Sequence, residues 1–303
     1  MTIKIIKIHL VDAFTDNIGE GNRAGVVFNA DELTDTQMQD IAAYANVSET
    51  AFLISSSDPD SHEIHVRYFT PSREVPICGH ATIASHFLRA KRNQLESMTV
   101  LSKTGVGILP VEIQKTNDDY KIIMTQGTPE IGAVLSEAHG NEALTALGLN
   151  QKDIIESLPI QFASTGHGKV VIPIKDVNTL HSIKPDFEKL KALTNKIDHT
   201  GYFVLTLGKD DALYKTHGRM FAPSIGINED PVTGNGNGPA GLYLSHHNVF
   251  QFQNDFTYFG VQGEAMGKPG VIEVSVFKEN GNISKVQVAG SAVEAGMLKY
   301  QLN

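Results

Sequence analysis

The chain has 303 residues, with 25 Lys or Arg against 34 Asp or Glu, so its formal net charge is −9. A hydrophobic share of 41% excludes a disordered chain, and the length favours two domains. The negative charge argues against nucleic acid or an anionic membrane as a global partner, but not against a local cationic pocket. The single cysteine, Cys78, excludes an intrachain disulfide, thiolate zinc sites and iron–sulfur clusters.

The first nine residues scatter charged side chains among apolar ones, which predicts a strand and not a signal peptide. No apolar run reaches the roughly 18 residues of a membrane helix. We therefore expect a cytoplasmic protein with no membrane partner.

Apolar periodicity in the first part of the chain predicts strands that alternate with helices. A capping box of Thr34 and Gln37 begins a helix that extends to about residue 46, and a second helix is predicted over 81–93. The predicted strands are 3–11, 24–29, 50–54, 63–69, about 97–113 and 119–126, the last two being broken by Gly105, Gly107 and the turn Asn117-Asp118-Asp119.

A change of composition at Gly127-Thr128-Pro129 predicts a linker. Beyond it, helices are predicted over 141–150, 186–197 and 239–248, and strands over 159–163, 168–174, 201–207, 218–222, 257–262, 271–277 and 284–290. We expect one domain of residues 1–127, completed by the final segment from about 290 to 303, and a second domain of residues 128–289.

An internal repeat is the most informative pattern in the sequence. The motif R-x-F-x-P-S, followed by E-x-P-[IV]-x-G-[HN], occurs over 67–80 and again over 219–235, with three more residues in the second spacer. Each copy ends at a glycine that precedes a predicted helix. Two duplicated structural turns without shared chemistry are the plain alternative.

The repeat also has a chemical interpretation. A glycine-bearing loop that begins a helix presents free backbone N–H groups and the positive end of the helix dipole, which together bind an anion. Two such ends across a domain interface would bind one small carboxylate and place an acid or a base on either side of it.

Three polar residues near these loops have both a functional and an ordinary interpretation. Cys78 is either a thiol base at a helix N-terminus or a small buried hydrophobic residue, and its counterpart Thr233 excludes a two-thiol racemase. Glu49 lies at the start of an apolar strand, where burial would raise its pKa and suit it to general acid–base catalysis. An ordinary surface glutamate at the end of a helix would also account for this position in the sequence. Asp230 is either an ordinary turn aspartate or part of a cleft.

No motif predicts a cofactor or a metal site. Residues 236–241 match G-x-G-x-x-G, yet Pro239 suits the first position of a helix and no acidic residue follows at the distance a dinucleotide site requires. The twelve histidines have no metal-binding spacing.

Five motifs in chain order resemble the phenazine-biosynthesis isomerase family (PhzF-like). They are Asp12-Ala13-Phe14-Thr15, Gly21-Asn22-x-Ala24-Gly25-Val26, Asn46-Val47-Ser48-Glu49-Thr50, Pro76-Ile77-Cys78-Gly79-His80 and Glu229-Asp230-Pro231-Val232-Thr233-Gly234-Asn235. The resemblance implies the diaminopimelate-epimerase-like α+β fold, in which two pseudo-symmetric domains each wrap a β-sheet around a central helix. It also implies an active site between the domains, a homodimer, and no metal or cofactor.

The resemblance assigns roles to individual residues. It implies that Glu49, His80 and Asp230 are catalytic. The substrate-binding residues that follow from it and from the repeat are Ser48, Cys78, Gly79, Thr233, Gly234 and Asn235, where Asn235 replaces the serine of the family. Cys78 also departs from the phenazine enzyme, which has a small residue without a thiol there.

The leading hypothesis is a cofactor-independent isomerase that acts on a small carboxylate-bearing metabolite by proton transfer at Glu49. One alternative is a Cys78-based one-sided epimerase or dehydratase of a hydroxy or amino acid. Another is a non-catalytic protein that binds small carboxylates.

Overall fold

A computed structural model describes residues 4–117, 119–199, 201–209 and 212–302. The strands are β1 (Lys4–Ala13), β2 (Asn22–Val27), β3 (Glu49–Ser55), β4 (Ile64–Phe69), β5 (Glu74–Val75), β6 (Met98–Thr104), β7 (Gly107–Lys115), β8 (Tyr120–Thr125), β9 (Pro129–Val134), β10 (Gln161–Thr165), β11 (Lys169–Ile174), β12 (Tyr202–Leu207), β13 (Tyr214–Ala222), β14 (Ile227–Asp230), β15 (Asp255–Gln262), β16 (Gly270–Glu279), β17 (Asn282–Gly290) and β18 (Ala292–Leu302). The helices are α1 (Asp35–Ala45), α2 (Gly79–Asn93), α3 (Glu137–Leu147), α4 (Val177–Ser182), α5 (Phe187–Ile197) and α6 (Gly234–His246). Short 3-10 turns occupy Gln151–Asp153, Pro223–Ile225 and Glu264–Met266.

The chain divides into two compact units, one of residues 1–125 with 289–303 and one of residues 126–288. The predicted linker at residues 127–129 follows the first of these boundaries. The final strand β18 pairs with β1 along its length, in antiparallel register from Lys4↔Leu302 to Ala13↔Ala292. The last segment of the chain therefore belongs to the sheet of the first unit.

Each unit has the same succession of strand pairings. In the first unit, β1–β2, β3–β4 and β6–β7 pair antiparallel, and β2–β3 and β4–β6 pair parallel. In the second unit, β10–β11, β12–β13 and β15–β16 pair antiparallel, and β11–β12 and β13–β15 pair parallel. The repeat in the sequence is thus a repeat of topology.

A buried helix occupies the same place in each succession. Helix α2 follows the short strand β5, and its side chains from His80 to Leu88 are all buried. Helix α6 follows the short strand β14, and it is buried from Gly236 to Ser245. Burial on every side is the mark of a helix at the centre of its unit, since a surface helix buries only one face. The predicted α+β class, with a sheet around a central helix, is confirmed.

Most predicted elements are confirmed within a few residues, including the capping box of Thr34 and Gln37. The strand predicted over 97–113 is a hairpin, β6 and β7, because the chain turns between Thr104 and Gly107. Short strands β5, β9 and β14, the long final strand β18 and helix α4 were not predicted. Residues 1–3 of the predicted first strand, and Asp118 of the predicted turn, lie outside the described residues.

The second central helix begins earlier than predicted. It starts at Gly234, so Pro239 lies inside the helix and not at its first position. The segment has four glycines from 234 to 241 and a low intrinsic helix propensity. Packing outweighs that propensity, because a Cβ at Gly236 would lie 2.6 Å from Phe203 and a Cβ at Gly241 would lie 2.7 Å from Val274.

Among the described residues, none of the helices combines the length and the apolar character that a membrane-crossing helix needs.

Candidate active site

The motif that recurs in the sequence forms the same ion pair in both units. Arg67 contacts both carboxylate oxygens of Glu74, at 2.7 and 2.8 Å, and Arg219 contacts both of Glu229, at 2.8 Å each. Each arginine also lies over the phenylalanine two residues later, with 5.2 Å for Arg67 and 5.0 Å for Arg219 between guanidinium carbon and ring centre. The ion pair fixes the segment that leads into the central helix.

The central helices begin alike. Cys78 is the N-cap residue of α2 and Thr233 that of α6, both in extended conformation and both without a side-chain hydrogen bond to the helix. A Cβ at Gly79 would meet no atom within 4 Å, so the space in front of the first turn of α2 is open. Open space at an uncapped helix N-terminus can accept an anionic group.

Four side chains of the first unit form an acid–base cluster at the start of α2. The ring nitrogen Nε2 of His80 lies 3.1 Å from Ser48 Oγ and 3.3 Å from Glu49 Oε2. The other nitrogen, Nδ1, lies 3.4 Å from Cys78 Sγ. A neutral His80 with its proton on Nε2 would donate to Ser48 or Glu49, and the one thiol proton of Cys78 would go to His80 Nδ1 or to Glu49, an assignment inferred from these partners.

Glu49 is buried and its pKa is raised. Its side chain is only 12% exposed at the start of β3, so the interpretation as a surface glutamate is wrong. Burial is the largest cause of the raised pKa, and hydrogen bonds from Ser48 and Cys78 oppose it. Desolvation outweighs these hydrogen bonds although His80 Nε2 lies only 3.3 Å from the Glu49 carboxylate.

The cluster is held by polar contacts to which the sequence assigned no role. The Asp12 carboxylate binds Arg23 at 2.6 and 2.8 Å, and the Arg23 carbonyl accepts a hydrogen bond from Ser48 at 3.2 Å. The parallel register Ala24↔Glu49 places β2 beside this end of β3. These contacts fix the position of the Ser48 hydroxyl.

A second chain of contacts fixes the start of α2. The buried hydroxyls of Tyr68 and Thr82 lie 2.7 Å apart, and Thr82 donates to the Cys78 carbonyl at 2.7 Å. The first turn of the helix is therefore anchored to β4.

The same cluster has the spacing of a metal site. Ligand atoms of Glu49, Cys78 and His80 all lie within 4.8 Å of one another. Carboxylate, thiolate and imidazole are the ligands that zinc prefers in proteins. The sequence excluded thiolate zinc sites because it contains one cysteine, but a mixed set with one thiolate needs only one, and tertiary structure brings the three residues together.

In the second unit the corresponding residues form a hydrogen-bonded network. Thr233 donates its hydroxyl to the Asp230 carboxylate. The buried Gln262 amide donates to the Asp230 carbonyl at 2.7 Å and accepts from the Thr233 backbone N–H at 3.1 Å and from Asn237 at 2.8 Å. Gln262 carries no signal in the sequence, whereas Asn237 lies in the G-x-G-x-x-G match of residues 236–241 without an assigned role.

The structure thus brings Glu49, Ser48, Cys78 and His80 together in the first unit. Asp230 and Thr233 contact each other in the second unit, directly before Gly234 and Asn235 in the first turn of α6. Cys78 is both buried and next to a histidine, so neither of its two interpretations is excluded.

Comparisons with known proteins match nearly the whole chain. A model of the family described as phenazine biosynthesis-like protein matches residues 11–296. A protein of Clostridium acetobutylicum named as an uncharacterised isomerase is 49% identical over 302 residues, which cover 99% of this chain and 100% of that protein.

Two further matches have a more specific name or a solved structure. A trans-2,3-dihydro-3-hydroxyanthranilate isomerase of Pseudomonas fluorescens is 27% identical over 288 residues, covering 95% of this chain and 96% of that protein. The crystal structure of a phenazine biosynthesis protein of the PhzF family from Bacillus anthracis is 31% identical with a TM-score of 0.90, and the match covers 99% of this chain and 100% of that one. Both units of the chain are therefore included in the matches.

Proposed function

This chain is an isomerase of the phenazine biosynthesis-like family, and on that premise we propose that it moves a proton between carbons of a small carboxylate-bearing metabolite, with Glu49 as the acid–base group. The resemblance that the five motifs indicate is confirmed, and the mechanism and the substrate are the proposal.

The observation that supports this role is the environment of Glu49. A carboxylate works best as base and then as acid when its pKa lies near the working pH, and burial moves the Glu49 pKa in that direction. A buried glutamate without such a role would lower stability, because its charged form loses hydration.

The proposed reaction has two proton transfers. The Glu49 carboxylate takes a proton from a carbon that conjugation has made acidic, and the carboxylic acid then returns the proton to another carbon of the same substrate. His80, 3.3 Å from Glu49, orients the carboxylate and stabilises charge during the transfer. Acid–base work of this kind contributes about 10²–10⁴-fold to the rate, and oriented N–H donors contribute further by stabilising negative charge.

Binding of the substrate is proposed for the helix starts. The backbone N–H of Gly79, in the first turn of α2, would donate to a carboxylate oxygen. Asp230, Thr233, Gly234 and Asn235 are proposed as substrate-contacting residues on the basis of the repeat and the family resemblance. No cofactor is part of this mechanism, and a homodimer stays a prediction.

Deuterium exchange tests the proposal. We expect the wild type, in heavy water, to incorporate deuterium into its substrate, and Glu49→Gln to lose this exchange by about 10²–10⁴-fold while still binding the same compound. Candidate substrates are small aromatic and amino-acid carboxylates, beginning with the dihydrohydroxyanthranilate that the Pseudomonas relative is named for. Exchange by Glu49→Gln at the normal rate would contradict the proposal.

A second candidate mechanism uses Cys78 as the base. The observation that favours it is the distance of 3.4 Å between Cys78 Sγ and His80 Nδ1, since a histidine so close can accept the thiol proton. Cys78→Ser is the matched variant: it should retain exchange if Glu49 is the base and lose it if the thiol is.

A third measurement addresses the metal-binding spacing of the same side chains. We expect protein treated with EDTA to retain its exchange activity. Activity that disappears with EDTA and returns with zinc would assign the reaction to a metal ion held by Glu49, Cys78 and His80.

A further inference from the structure

One buried cation of the second unit has no part in the mechanism above. Lys169, the first residue of β11, is only 5% exposed. Lysine is almost never so deeply buried unless it is paired or functional. No sequence pattern singled it out.

A glycine makes room for the side chain of Lys169. Its Cδ lies over Gly201, where an added Cβ would come within 3.0 Å of it and of the Phe221 carbonyl oxygen. The ring of Phe162, on β10, packs against Gly168, the residue before Lys169. It also stacks on the ring of His199, with 3.9 Å between ring centres. The absence of a side chain at Gly201 therefore leaves room for the buried part of Lys169.

The described residues offer the ammonium group of Lys169 fewer hydrogen-bond acceptors than it has donors. Its acceptor among the described residues is the Gly168 carbonyl, 3.1 Å away, so two of its three N–H donors find no acceptor in that part of the chain. Arg219, a cation buried to a similar degree in the same unit, differs: it donates to both oxygens of Glu229 and to the carbonyls of Leu180 and Ile183. A buried donor without an acceptor is unfavourable, which points to an oxygen supplied by a ligand.

Two titratable groups, Asp230 and His167, interact electrostatically with Lys169. Burial lowers the pKa of Lys169 to about 8, and the negative charge of Asp230 opposes that change. His167, two residues earlier, has a lowered pKa from burial and from the charge of Lys169, and the pKa of His199 is lowered by burial. The charge of Asp230 thus favours the protonated form of Lys169 and opposes the effect of burial.

We propose that Lys169 is a substrate-binding residue, whose ammonium donates to an anionic oxygen of the substrate, with Asp230 as its electrostatic partner in the protein. This deepens the proposed function, on which it rests for the identity of the anion, and it gives Asp230 a physical task. The chemical class of the ligand is an organic carboxylate or a similar oxyanion.

The expected pH dependence has a definite sign. An anion that binds only the protonated lysine raises its pKa, so affinity is complete below the free value and is lost as the pH rises through it. The dissociation constant should increase about tenfold for each pH unit above about 8, since neutral Lys169 does not bind.

Carbon-13 NMR of lysine-labelled protein measures this directly. The probes are benzoate, its uncharged analogue benzamide, and inorganic phosphate, and Lys169→Arg identifies the resonance by its disappearance. We expect one lysine to titrate near pH 8, benzoate or phosphate to raise that pKa, benzamide to leave it unchanged, and Asp230→Asn to lower it. The labelled protein carries Glu49→Gln, so the binding result does not depend on turnover.

Two substitutions complete the test. Lys169→Met should weaken benzoate binding at pH 7 at least tenfold and abolish its pH dependence, whereas Lys175→Met, at an exposed position directly after the same strand, should change neither. If neither anion moves the pKa of Lys169, or if Lys169→Met binds benzoate as the parent does, the lysine faces no ligand and the inference is wrong. Either result leaves the exchange test of Glu49 unaffected.

Discussion

The two copies of the repeat share a frame but differ in chemistry where the central helix begins. Both have the arginine–glutamate pair, an extended N-cap residue and an uncapped first helical turn. The first copy places Cys78 and His80 against the buried Glu49. The second places Thr233 against Asp230, with Gln262 completing a network of hydrogen bonds.

The two copies therefore share the residues that hold the fold and differ in the residues that could take part in a reaction. The ion pair and the strand order recur because they hold a helix N-terminus in a fixed place, which both copies require. Groups suited to proton transfer gather in the first copy, while the second has hydroxyl and amide groups with satisfied hydrogen bonds beside one buried lysine. A duplicated fold can thus keep its frame and specialise only the few residues at each helix start.

The largest expected effect concerns the stability of the shared ion pair. Arg219 and Glu229 are 7% and 14% exposed, whereas Arg67 and Glu74 are 20% and 44% exposed. Arg219→Met leaves a buried glutamate unpaired and should lower the free energy of unfolding by about 3–5 kcal/mol. Arg67→Met should cost about 1 kcal/mol or less, because surface pairs contribute little. Chemical denaturation of both variants measures the difference, and equal losses would contradict the unequal burial.

The next effect concerns the open space in front of each helix. A methyl group at Gly79 would meet no atom within 4 Å, whereas one at Gly234 would lie 3.4 Å from Val288. Gly79→Ala should leave the melting temperature unchanged or slightly raised and should slow exchange by about 10²-fold, the scale of a 1 Å misplacement of substrate. Gly234→Ala is the matched variant and should have a smaller effect on exchange. Full activity in Gly79→Ala would mean that no ligand approaches the α2 N-terminus.

The smallest effect is a pH-dependent gain of stability in Glu49→Gln. The Glu49 pKa is raised in the folded protein, so the folded state holds the proton more tightly than the unfolded chain does. Wild-type stability therefore falls as the pH rises from the unfolded value, about 4.3, through the folded one. Above that window Glu49→Gln should melt higher than the wild type, and the two should converge at lower pH.

Thermal scans across pH check this, with the exposed Glu188→Gln of the second unit as control. A Glu49→Gln variant that melts lower than the wild type at neutral pH would show that the charge of Glu49 stabilises the fold.

The spacing of apolar residues and the capping residues predicted those elements whose formation depends on neighbours in the sequence. Capping predicted the start of α1 at the capping box of Thr34 and Gln37. The period of the side chains predicted the strands with β-branched runs and the apolar face of α2. The α6 start was missed because four glycines weaken the local signal, and the helix forms there since Phe203 and Val274 pack against them. Strand β5 has two residues and β14 has four, too few to carry a period.

The sequence by itself determined the repeat, the family resemblance and the candidate residues, because these are properties of order and spacing along the chain. Tertiary structure alone decided which candidates meet: Glu49 and His80 are far apart in sequence, and only the pairing of β2 with β3 and the placement of α2 bring them within 3.3 Å. It also decided the burial that raises the pKa of Glu49 and lowers that of Lys169. Desolvation depends on every atom that surrounds a group, and a linear motif does not contain those atoms.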